Sequence, residues 1–479
     1  MANVIRTMAE GSSRIVERYL PDAFLFAIIL TVVTYGLAFV TVDPGGGYLE
    51  HAENLLVTGW YGGFWGLLTF AMQMTLILMT GYGLAKTDFV DGLLTRAAAV
   101  PSSERSAVAF VPVVAALASF VHWGLGIVVG GIFARKVAEE IRTIDFPIIV
   151  AGAYSGFIVW HGGLAASIPL TLNSTADNGN FLIASGVLNE TIGTGQTIFT
   201  TANLVLFVAV GLVFLPLLFV LMYPESDEKK RPIDPAELET AADGGESEAA
   251  RTIETAGTTT FADRIEHSRV VAWGIGFGGL LAVVGYFWRG IADGTMPWNN
   301  LDLNIVNFTF LFLGILLHGT PANYIAAMKE AVENVWGIIL QFPFYAGIMG
   351  IMGYAPEGST SLAIQIAEGM VQVSPDGTLP AVAFLAAGVV NFFVPSGGGE
   401  WAVVGETLVT AAQSNGTSVP RVAMAAAWGD AWTNMIQPFW AIPLLAISGL
   451  SVRDIMGYCV LVLLGSGVII AVGITVLPM

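Results

Sequence analysis

The stretch NFFVPSGGG at residues 391–399 decides the interpretation of the chain. It places a proline and three consecutive glycines inside a long apolar segment, Leu379–Ala412. Glycine and proline are the weakest helix formers, so a straight membrane-spanning helix tolerates them poorly here. Non-helical backbone at membrane depth occurs only where protein or water covers it. We therefore predict that this segment enters a membrane, turns at the glycines and returns to the same face.

The rest of the chain has the composition of a membrane protein. Hydrophobic residues make up 55% of the 479 residues and charged residues 12%, against about 25% charged in soluble proteins. Apolar runs at 21–42, 62–85, 197–222 and 455–477 are each long enough to cross ~30 Å of hydrocarbon as a helix. The short alternating strands of a transmembrane β-barrel do not fit these runs. The predicted fold class is an all-α integral membrane protein.

Positive charges predict the topology, because Lys and Arg are retained in cytoplasmic loops during insertion. Residues 106–134 form a second apolar segment with a glycine-rich interruption. If this segment and Leu379–Ala412 are both re-entrant hairpins, every Lys and Arg except Arg289 and Arg421 lies on one side. We expect a protein of the cytoplasmic (inner) cell membrane, with its N-terminus in the cytoplasm and its C-terminus outside.

The same elements recur in both halves of the chain. Each half has a mid-membrane glutamine (Gln73 and Gln341), then a hairpin, then a helix broken by polar residues, at 154–169 and 428–443. The distribution of Lys and Arg predicts that the second set of elements lies in the membrane with the opposite orientation to the first. An inverted repeat with broken helices is the best sequence indication of a secondary transporter's binding site. The alternative is a chance match, since Gly and Pro are common in membrane helices.

This comparison predicts the domain organisation. The predicted parts are a first inverted repeat at 1–222, with an N-terminal amphipathic helix and a cytoplasmic-side hairpin at 106–134; a flexible cytoplasmic linker at 223–269; and a second inverted repeat at 270–479, with an extra span at 270–288 and an extracellular-side hairpin at 379–412.

Helix breaks expose backbone N–H groups that suit an anion and carbonyl groups that suit a cation. Amide, hydroxyl and imidazole side chains near the breaks add further partners. The candidate substrate-binding residues are Ser396, Gly397, Gly398, Gly399, Asn391, Asn434, Gln437, His122, Gly124, Gly126, His161 and Gly162. The alternatives are tight turns for the glycines, and hydrogen bonds between helices for the polar residues.

Asp430 is the candidate for ion coupling, with Asn391 and Asn434 as further candidate ligands. An ionisable residue at this depth is costly unless it is functional, paired or wetted. Asp430 would take a coupling proton or help bind a cation, and a structural ion pair is the alternative. We expect Glu400 and Glu406, which follow the second hairpin tip, to face external water.

Several other residue types restrict the function. The lone Cys459 lies in an apolar run, and we expect a small buried hydrophobe there. The sequence predicts no metal site and no cofactor beyond a coupling ion, H⁺ or Na⁺. No Lys or Arg falls inside a predicted span, which favours a substrate with one negative charge. Six tryptophans near the breaks are candidates to wall an apolar pocket: Trp123, Trp160, Trp401, Trp428, Trp432 and Trp440.

Long motifs resemble the short-chain fatty acid transporter family. They are NFFVPSGGGEW at 391–401, ILQFPFYAGI at 339–348, QPFWAIP at 437–443, WGLG at 123–126 and VRDIMGYC at 452–459. The resemblance covers almost the whole chain except the linker. It implies uptake of acids such as acetoacetate or butyrate. It also implies kinship with an ion-transporter superfamily of carboxylate carriers, in which a hairpin-bearing domain moves like an elevator against a scaffold homodimer.

Other functions remain open at the level of sequence. The same fold could carry a dicarboxylate, a tricarboxylate or another organic anion, and a passive channel or an intramembrane enzyme is a more distant alternative. The sequence has no His-Glu-x-x-His pair and no phosphate-binding glycine loop. A net charge of −18 argues against nucleic-acid binding. We expect a small monocarboxylate and membrane lipid as the partners, and no enzymatic activity.

Overall fold

The computed structural model describes residues 23–66, 68–176, 180–184, 186–233, 260–293, 303–333, 335–375, 377–393, 395 and 397–479. Three sequence predictions therefore lie wholly or partly outside the described residues: the N-terminal amphipathic helix, the central part of the linker, and Ser396. The secondary structure of the described part is helical and contains no strand, as predicted.

The first half consists of helices separated by short loops and breaks. They are α1 (Ala23–Thr41), α2 (Tyr48–Asn54), α3 (Leu68–Ala85), α4 (Asp88–Ala98), α5 (Glu104–Val121), α6 (Trp123–Glu140), α7 (Phe146–Ser155), α8 (Ser167–Asn173), α9 (Phe181–Ala184), α10 (Thr201–Phe207) and α11 (Leu215–Met222). π-Helical turns at Leu55–Tyr61 and Val208–Phe214 extend α2 and join α10 to α11, and a 3₁₀ segment at Gly156–Gly162 follows α7.

The second half contains α12 (Phe261–Glu266), α13 (Arg269–Ala292), α14 (Leu303–His318), α15 (Pro321–Glu333), α16 (Trp336–Gly353), α17 (Leu362–Gln372), α18 (Leu379–Phe393), α19 (Gly397–Ser414), α20 (Val419–Thr433), α21 (Pro438–Ser448) and α22 (Val452–Val476). A 3₁₀ turn at Asn434–Ile436 separates α20 from α21.

Five helical segments in the described part are long and apolar enough to cross a membrane: Glu104–Val121, Phe146–Asn173, Thr201–Met222, Arg269–Ala292 and Val452–Val476. Shorter apolar helices accompany them, among them most of α1, α14 and α18. Many large apolar side chains of α1 and α13 are exposed, which is the expected surface of a helix that faces lipid.

Two antiparallel helices occupy the position of the first predicted hairpin. Helices α5 and α6 meet at His122, whose backbone is extended (φ −159°, ψ 115°). The arms then return along each other, so that Gly126 packs on Ser119 and Gly130 on Ala115. A Cβ atom on Gly126 would lie 2.5 Å from the Cα of Ser119, so a larger residue would push the arms apart.

The helices can be divided into two packing groups, which meet where α3 packs extensively on α6 and where α16 contacts α17 and α19. One contains α1 to α3 and α13 to α16, and the other contains both hairpins and both broken helices, α5 to α11 and α17 to α22. In each half, the first arm of the hairpin packs along the broken helix that follows it, α5 on α7 and α18 on α20. The second arm reaches the other half, since α6 packs on α21 and α19 on α8. The halves are therefore interlocked at their hairpins.

Ion pairs link loops that the charge pattern places on one side. Lys136 meets Asp91 at 2.6 Å, Lys230 meets Glu104 at 2.7 Å, and Arg231 meets Asp454 at 3.0 Å. Hydrogen bonds with Asp227 and Glu104 raise the pKa of Lys230. Residues 223–233 are thus packed against the helices, although the sequence predicted a flexible linker from 223 onward.

Loops predicted on the opposite side also contact each other. The hydroxyl of Ser359 donates to the carbonyl of Asp43 at 3.0 Å, and the N–H of Ala202 donates to the carbonyl of Pro478 at 3.0 Å. Arg421, an exception to the charge rule, donates to three carbonyls at the end of α22: those of Ile474, Thr475 and Leu477. The two sets of loop contacts agree with the predicted threading of the chain.

One predicted span differs from the structure. The sequence predicted a continuous segment over residues 62–85, but a short helical stretch ends at Phe64 and α3 begins at Leu68. Gly63 packs against the backbone of Gly350, and a Cβ atom there would lie 2.7 Å from its Cα. This close approach holds the short helical stretch that ends at Phe64 against α16. A new helix, α3, then starts at Leu68.

Candidate functional site

The breaks in the two broken helices lie against each other. The hydroxyl of Tyr154, at the end of α7, donates to the carbonyls of Asn434 at 2.6 Å and Gln437 at 3.3 Å. The indole N–H of Trp160 donates to Oδ1 of Asn434 at 2.9 Å. The first broken helix therefore satisfies part of the backbone that the second break leaves without a helical partner.

His161 and Asp430 connect the two breaks by a buried hydrogen bond of 2.7 Å between Nδ1 and Oδ2. The other ring nitrogen, Nε2, accepts the N–H of Ile168 at 3.0 Å and lies 2.9 Å from the hydroxyl of Ser167. A nitrogen that accepts a backbone N–H carries no proton itself. His161 is therefore neutral, and its Nδ1–H donates to the Asp430 carboxylate.

The tip of the second hairpin packs directly on this pair. Helix α19 begins at Gly397, and a Cβ atom there would lie 2.3 Å from Cε1 of His161 and 2.6 Å from the hydroxyl oxygen of Ser167. Only glycine fits this contact. The first N–H groups of a helix have no partner within the helix and carry its positive dipole end. The start of α19 thus brings anion-attracting backbone to His161.

Glu400 is buried, contrary to the expectation that it faces external water. Its exposed fraction is 0%, and its carboxyl group is a neighbour of the Asp430 carboxyl group. Glu400 lies in the first turn of α19, which points into the protein, and this explains the difference. Glu406, one and a half turns later, is exposed as predicted and lines a cleft of about 680 Å³.

Amide side chains on α18 and in the break after α20 extend the group. Asn391 Nδ2 donates to the carbonyl of Asp430 at 2.8 Å and to the hydroxyl of Thr433 at 2.9 Å. Gln437 Nε2 donates to the carbonyl of Asn391. The structure thus brings together Asn391, Asn434, Gln437, His161, Asp430 and Gly397 from the set predicted by sequence, while Ser396 lies outside the described residues.

Buried polar atoms without a hydrogen-bond partner concentrate in this group. In the described part of the chain they include Asn391 Oδ1, Asn434 Nδ2, Gln437 Oε1, Asp430 Oδ1 and both carboxyl oxygens of Glu400. Most buried polar side-chain atoms in proteins have a partner. A cluster of exceptions at one place indicates a site that binds something polar.

Asn203 and Tyr154 belong to the site's framework but were not among the predicted residues. Asn203 Nδ2 donates to the carbonyl of Gly162 at 2.8 Å, and its Oδ1 accepts the indole N–H of Trp428 at 2.9 Å. It therefore ties α10 to both broken helices and gives Gly162 a structural contact. A lone asparagine within the apolar run 197–222 was the available signal.

The first hairpin tip makes its contacts elsewhere. The His122 ring packs on Phe310 of α14, with 4.4 Å between ring centroids, and its Nδ1 accepts the N–H of Leu125 at 3.2 Å. Gly124 packs on Ile77 of α3, and Gly126 packs on Ser119. The contacts of these three predicted residues therefore connect the hairpin to its own arm and to the other packing group, and their role in binding stays a prediction.

An aromatic cluster borders Asn434. The ring centroids of Trp123 and Trp440 are 5.3 Å apart, and those of Phe157 and Trp160 are 5.7 Å apart. Trp123 and Trp160 are also in contact at 5.9 Å. Three of the six predicted tryptophans thus form one apolar wall. Trp428 instead donates to Asn203 in the site's framework, and Trp401 and Trp432 have their described contacts in other parts of the fold.

Apolar helices and a buried polar group between two broken helices are typical of membrane transporters. The sequence profile of the family described as "Short chain fatty acid transporter" matches residues 4–477. The chain belongs to this family, as its motifs predicted.

Known proteins agree with this assignment. A protein of Escherichia coli (strain K12) with the name "Putative short-chain fatty acid transporter" is 37% identical over 472 residues, covering 98% of this chain and 100% of that protein. Its Haemophilus influenzae (strain Rd) namesake is 35% identical over 474 residues, covering 98% and 99%. Transporter relatives of this kind imply a non-enzymatic protein.

The fold has a solved counterpart. The crystal structure of the YdaH transporter from Alcanivorax borkumensis aligns with a TM-score of 0.50 and 16% sequence identity, covering 94% of this chain and 98% of that chain. At this identity the likeness concerns the fold alone.

Proposed function

We propose that this protein is a secondary active transporter. It moves short-chain monocarboxylates of the acetoacetate and butyrate class across the cytoplasmic membrane and couples this movement to a gradient of H⁺ or Na⁺. The observation that carries the proposal is the meeting of the second hairpin tip with both helix breaks around buried polar atoms that lack partners. Family membership supplies the substrate class.

The start of α19 and Asn434 are the proposed anion subsite. Gly397 and Gly398 present first-turn N–H groups, and Asn434 Nδ2 is a buried donor without a partner in the described part of the chain. Backbone donors at a helix N-terminus bind a carboxylate without a cationic side chain. This favours a single negative charge. The aromatic cluster of Trp123, Trp160 and Trp440 would cover a short acyl chain.

The proposed transport cycle is an elevator movement of an inverted repeat. The reciprocal packing of α6 on α21 and of α19 on α8 supports the repeat. Asp430 and Glu400 are each 0% exposed, so a substrate reaches them only after surrounding elements move. The group containing both hairpins is the proposed moving domain, and α1 to α3 with α13 to α16 are the proposed scaffold, which forms a homodimer in lipid.

Vesicle uptake tests the proposal. Purified protein in proteoliposomes should accumulate labelled butyrate or acetoacetate when a proton or sodium gradient is imposed, each varied separately. Accumulation that ignores both gradients would reject coupling, and the absence of any short-acid uptake would reject the substrate class. A panel of unlabelled dicarboxylates and tricarboxylates should compete poorly. Ohmic currents in planar bilayers would indicate a channel instead.

A further inference from the structure

Glu400 and Asp430 form a pair of buried carboxyl groups from opposite sides of the site. Glu400 comes from the hairpin tip at the start of α19, and Asp430 comes from the last turns of α20 before the break. Both residues have an exposed fraction of 0%, and their carboxyl groups are neighbours, because the first turn of α19 packs on the His161–Asp430 pair at Gly397. Two adjacent buried carboxylates cannot both stay charged without a proton or a cation between them.

The surroundings decide which carboxyl group holds the proton. Asp430 Oδ2 accepts Nδ1–H of His161 at 2.7 Å, which stabilises Asp430 as the charged member. Both Glu400 oxygens and Asp430 Oδ1 lack a partner among the described residues when no proton is placed on either acid. If Glu400 is protonated, its O–H can donate to Asp430 Oδ1. Each of the two carboxyl groups then has a hydrogen-bond partner.

We propose that Glu400 and Asp430 are the proton-coupling pair of this transporter, with Glu400 as the residue that gains and loses the proton. This inference rests on the proposed transport function and names its coupling ion. The carboxylate of Glu400 takes a proton from water on one side, donates it as O–H to Asp430 Oδ1 during the crossing, and releases it to water on the other side.

Coupling follows from position. Glu400 lies in the same first helical turn as the backbone N–H groups of Gly397 and Gly398 that the substrate carboxylate would occupy. With Glu400 ionised, the site holds two negative charges and repels the substrate anion. With Glu400 protonated, it holds one and the anion is accepted more readily. Proton and monocarboxylate would therefore move together, and their charges would cancel.

A proton and a sodium ion are the two candidates for neutralising this pair. A proton on Glu400 satisfies the pair by itself, whereas a sodium ion would need further oxygen ligands, for which Asn391 Oδ1 and Gln437 Oε1 are available. A fixed positive charge is also absent from the described contacts of this pair, since His161 is neutral. Sodium dependence is therefore an outcome that the test must distinguish.

The elements that pack on this pair carry few other titratable or charged groups. Those on the described residues of α7, α16, α17, α19, α20 and α22, besides the pair itself, are Tyr154, Tyr345, Glu368, Glu406, Arg421, Arg453, Asp454, Tyr458 and Cys459. Glu368 and Glu406 line an outer cleft, and Arg421 binds the end of α22. His161 remains the titratable neighbour in direct contact with Asp430, and it is neutral in this arrangement.

The test compares Glu400→Gln with the exposed control Glu406→Gln, both in the full chain in proteoliposomes. Glutamine can donate an amide N–H to Asp430 as protonated Glu400 would, but its amide does not gain or lose a proton in the pH range of the experiment. We expect Glu400→Gln to keep measurable butyrate exchange between equal concentrations, with a flat pH profile, and to lose accumulation driven by an imposed pH gradient. Glu406→Gln should keep the wild-type pH profile and the proton-driven accumulation.

Several outcomes would overturn the pair. One is that Glu400→Gln still accumulates butyrate in response to a pH gradient, with the wild-type pH profile. Another is that the wild-type protein accumulates butyrate in response to a sodium gradient and not to a pH gradient. If the variant does not fold, wild-type protein in weakly buffered detergent provides a second test. When butyrate is added, the protein should take up about one proton from solution for each butyrate that binds. Butyrate binding without proton uptake would contradict the role of the pair. A wild type without any butyrate exchange would instead contradict the transport function itself.

Discussion

At the scale of single residues, contacts decide which polar groups belong to the site. The sequence indicated Asp430, His161 and the two asparagines because polar residues inside apolar spans are rare. It placed Glu400 in water, because sequence distance from a predicted tip does not show the direction of a helical turn. The contacts of Asn203 and Tyr154 join segments far apart in the chain, and spacing alone does not reveal them.

Replacing Tyr154 by Phe should lower the stability of the protein and the rate of uptake. The substitution leaves the carbonyls of Asn434 and Gln437 without their hydroxyl donor. A buried acceptor without a partner costs about 1–3 kcal/mol. Thermal unfolding in detergent should show a lower midpoint, and uptake should fall. Tyr48→Phe, at an exposed position, is the control and should behave as wild type; an equal effect in both would contradict the role of Tyr154.

Replacing Gly397 by Ala should abolish uptake, because the added Cβ would lie 2.3 Å from Cε1 of His161. The hairpin tip must then move away from the His161–Asp430 pair. Gly369→Ala is the matched control, since a Cβ there meets nothing within 4 Å, and alanine is a better helix former. Initial uptake rates of labelled butyrate are the measurement. A wild-type uptake rate in Gly397→Ala would contradict the assignment of the second hairpin tip to the binding site.

At the scale of elements, local sequence signals predict where helices run and break, whereas contacts between distant segments decide the remaining features. The sequence predicted the approximate helical spans and the two helix breaks, because Gly, Pro and apolar runs are local signals. It missed the break between Phe64 and α3, where close packing on Gly350 matters, and it missed the packed part of the linker at 223–233. These features depend on contacts across the fold.

Arg421 and Arg289 were the two exceptions to the positive-charge rule, and they should behave differently on mutation. Arg421 donates to the carbonyls of Ile474, Thr475 and Leu477 at the end of α22, whereas Arg289 is exposed on α13. Hydrogen bonds from a charged donor contribute about 1.5–3 kcal/mol. Arg421→Ala should therefore lower the thermal midpoint more than Arg289→Ala does. Equal midpoints would show that α22 does not need this contact.

At the scale of the whole molecule, charge distribution and loop contacts give the same topology. The sequence predicted the two-sided threading, and the ion pairs Lys136–Asp91 and Arg231–Asp454 join loops assigned to one side. The absolute orientation, the dimer and the elevator movement depend on the membrane and on a second subunit. They therefore remain part of the proposal.

Cysteine labelling tests the threading in whole cells. In a Cys459→Ala background, cysteines at Arg142 and at Glu357, both exposed, should react from opposite sides. A membrane-impermeant maleimide should label position 357 in intact cells and position 142 only after permeabilisation. Labelling of both positions in intact cells would contradict the re-entrant hairpin at 106–134 and the topology built on it.

The most direct test of the proposed binding site is a cryo-electron-microscopy structure of the protein with bound butyrate in lipid nanodiscs. We predict density for the carboxylate at the N–H groups of Gly397 and Gly398, beside Asn434 Nδ2, with the acyl chain against Trp160 and Trp440. Butyrate bound away from the second hairpin tip, for example beside His122 between α6 and α14, would contradict it.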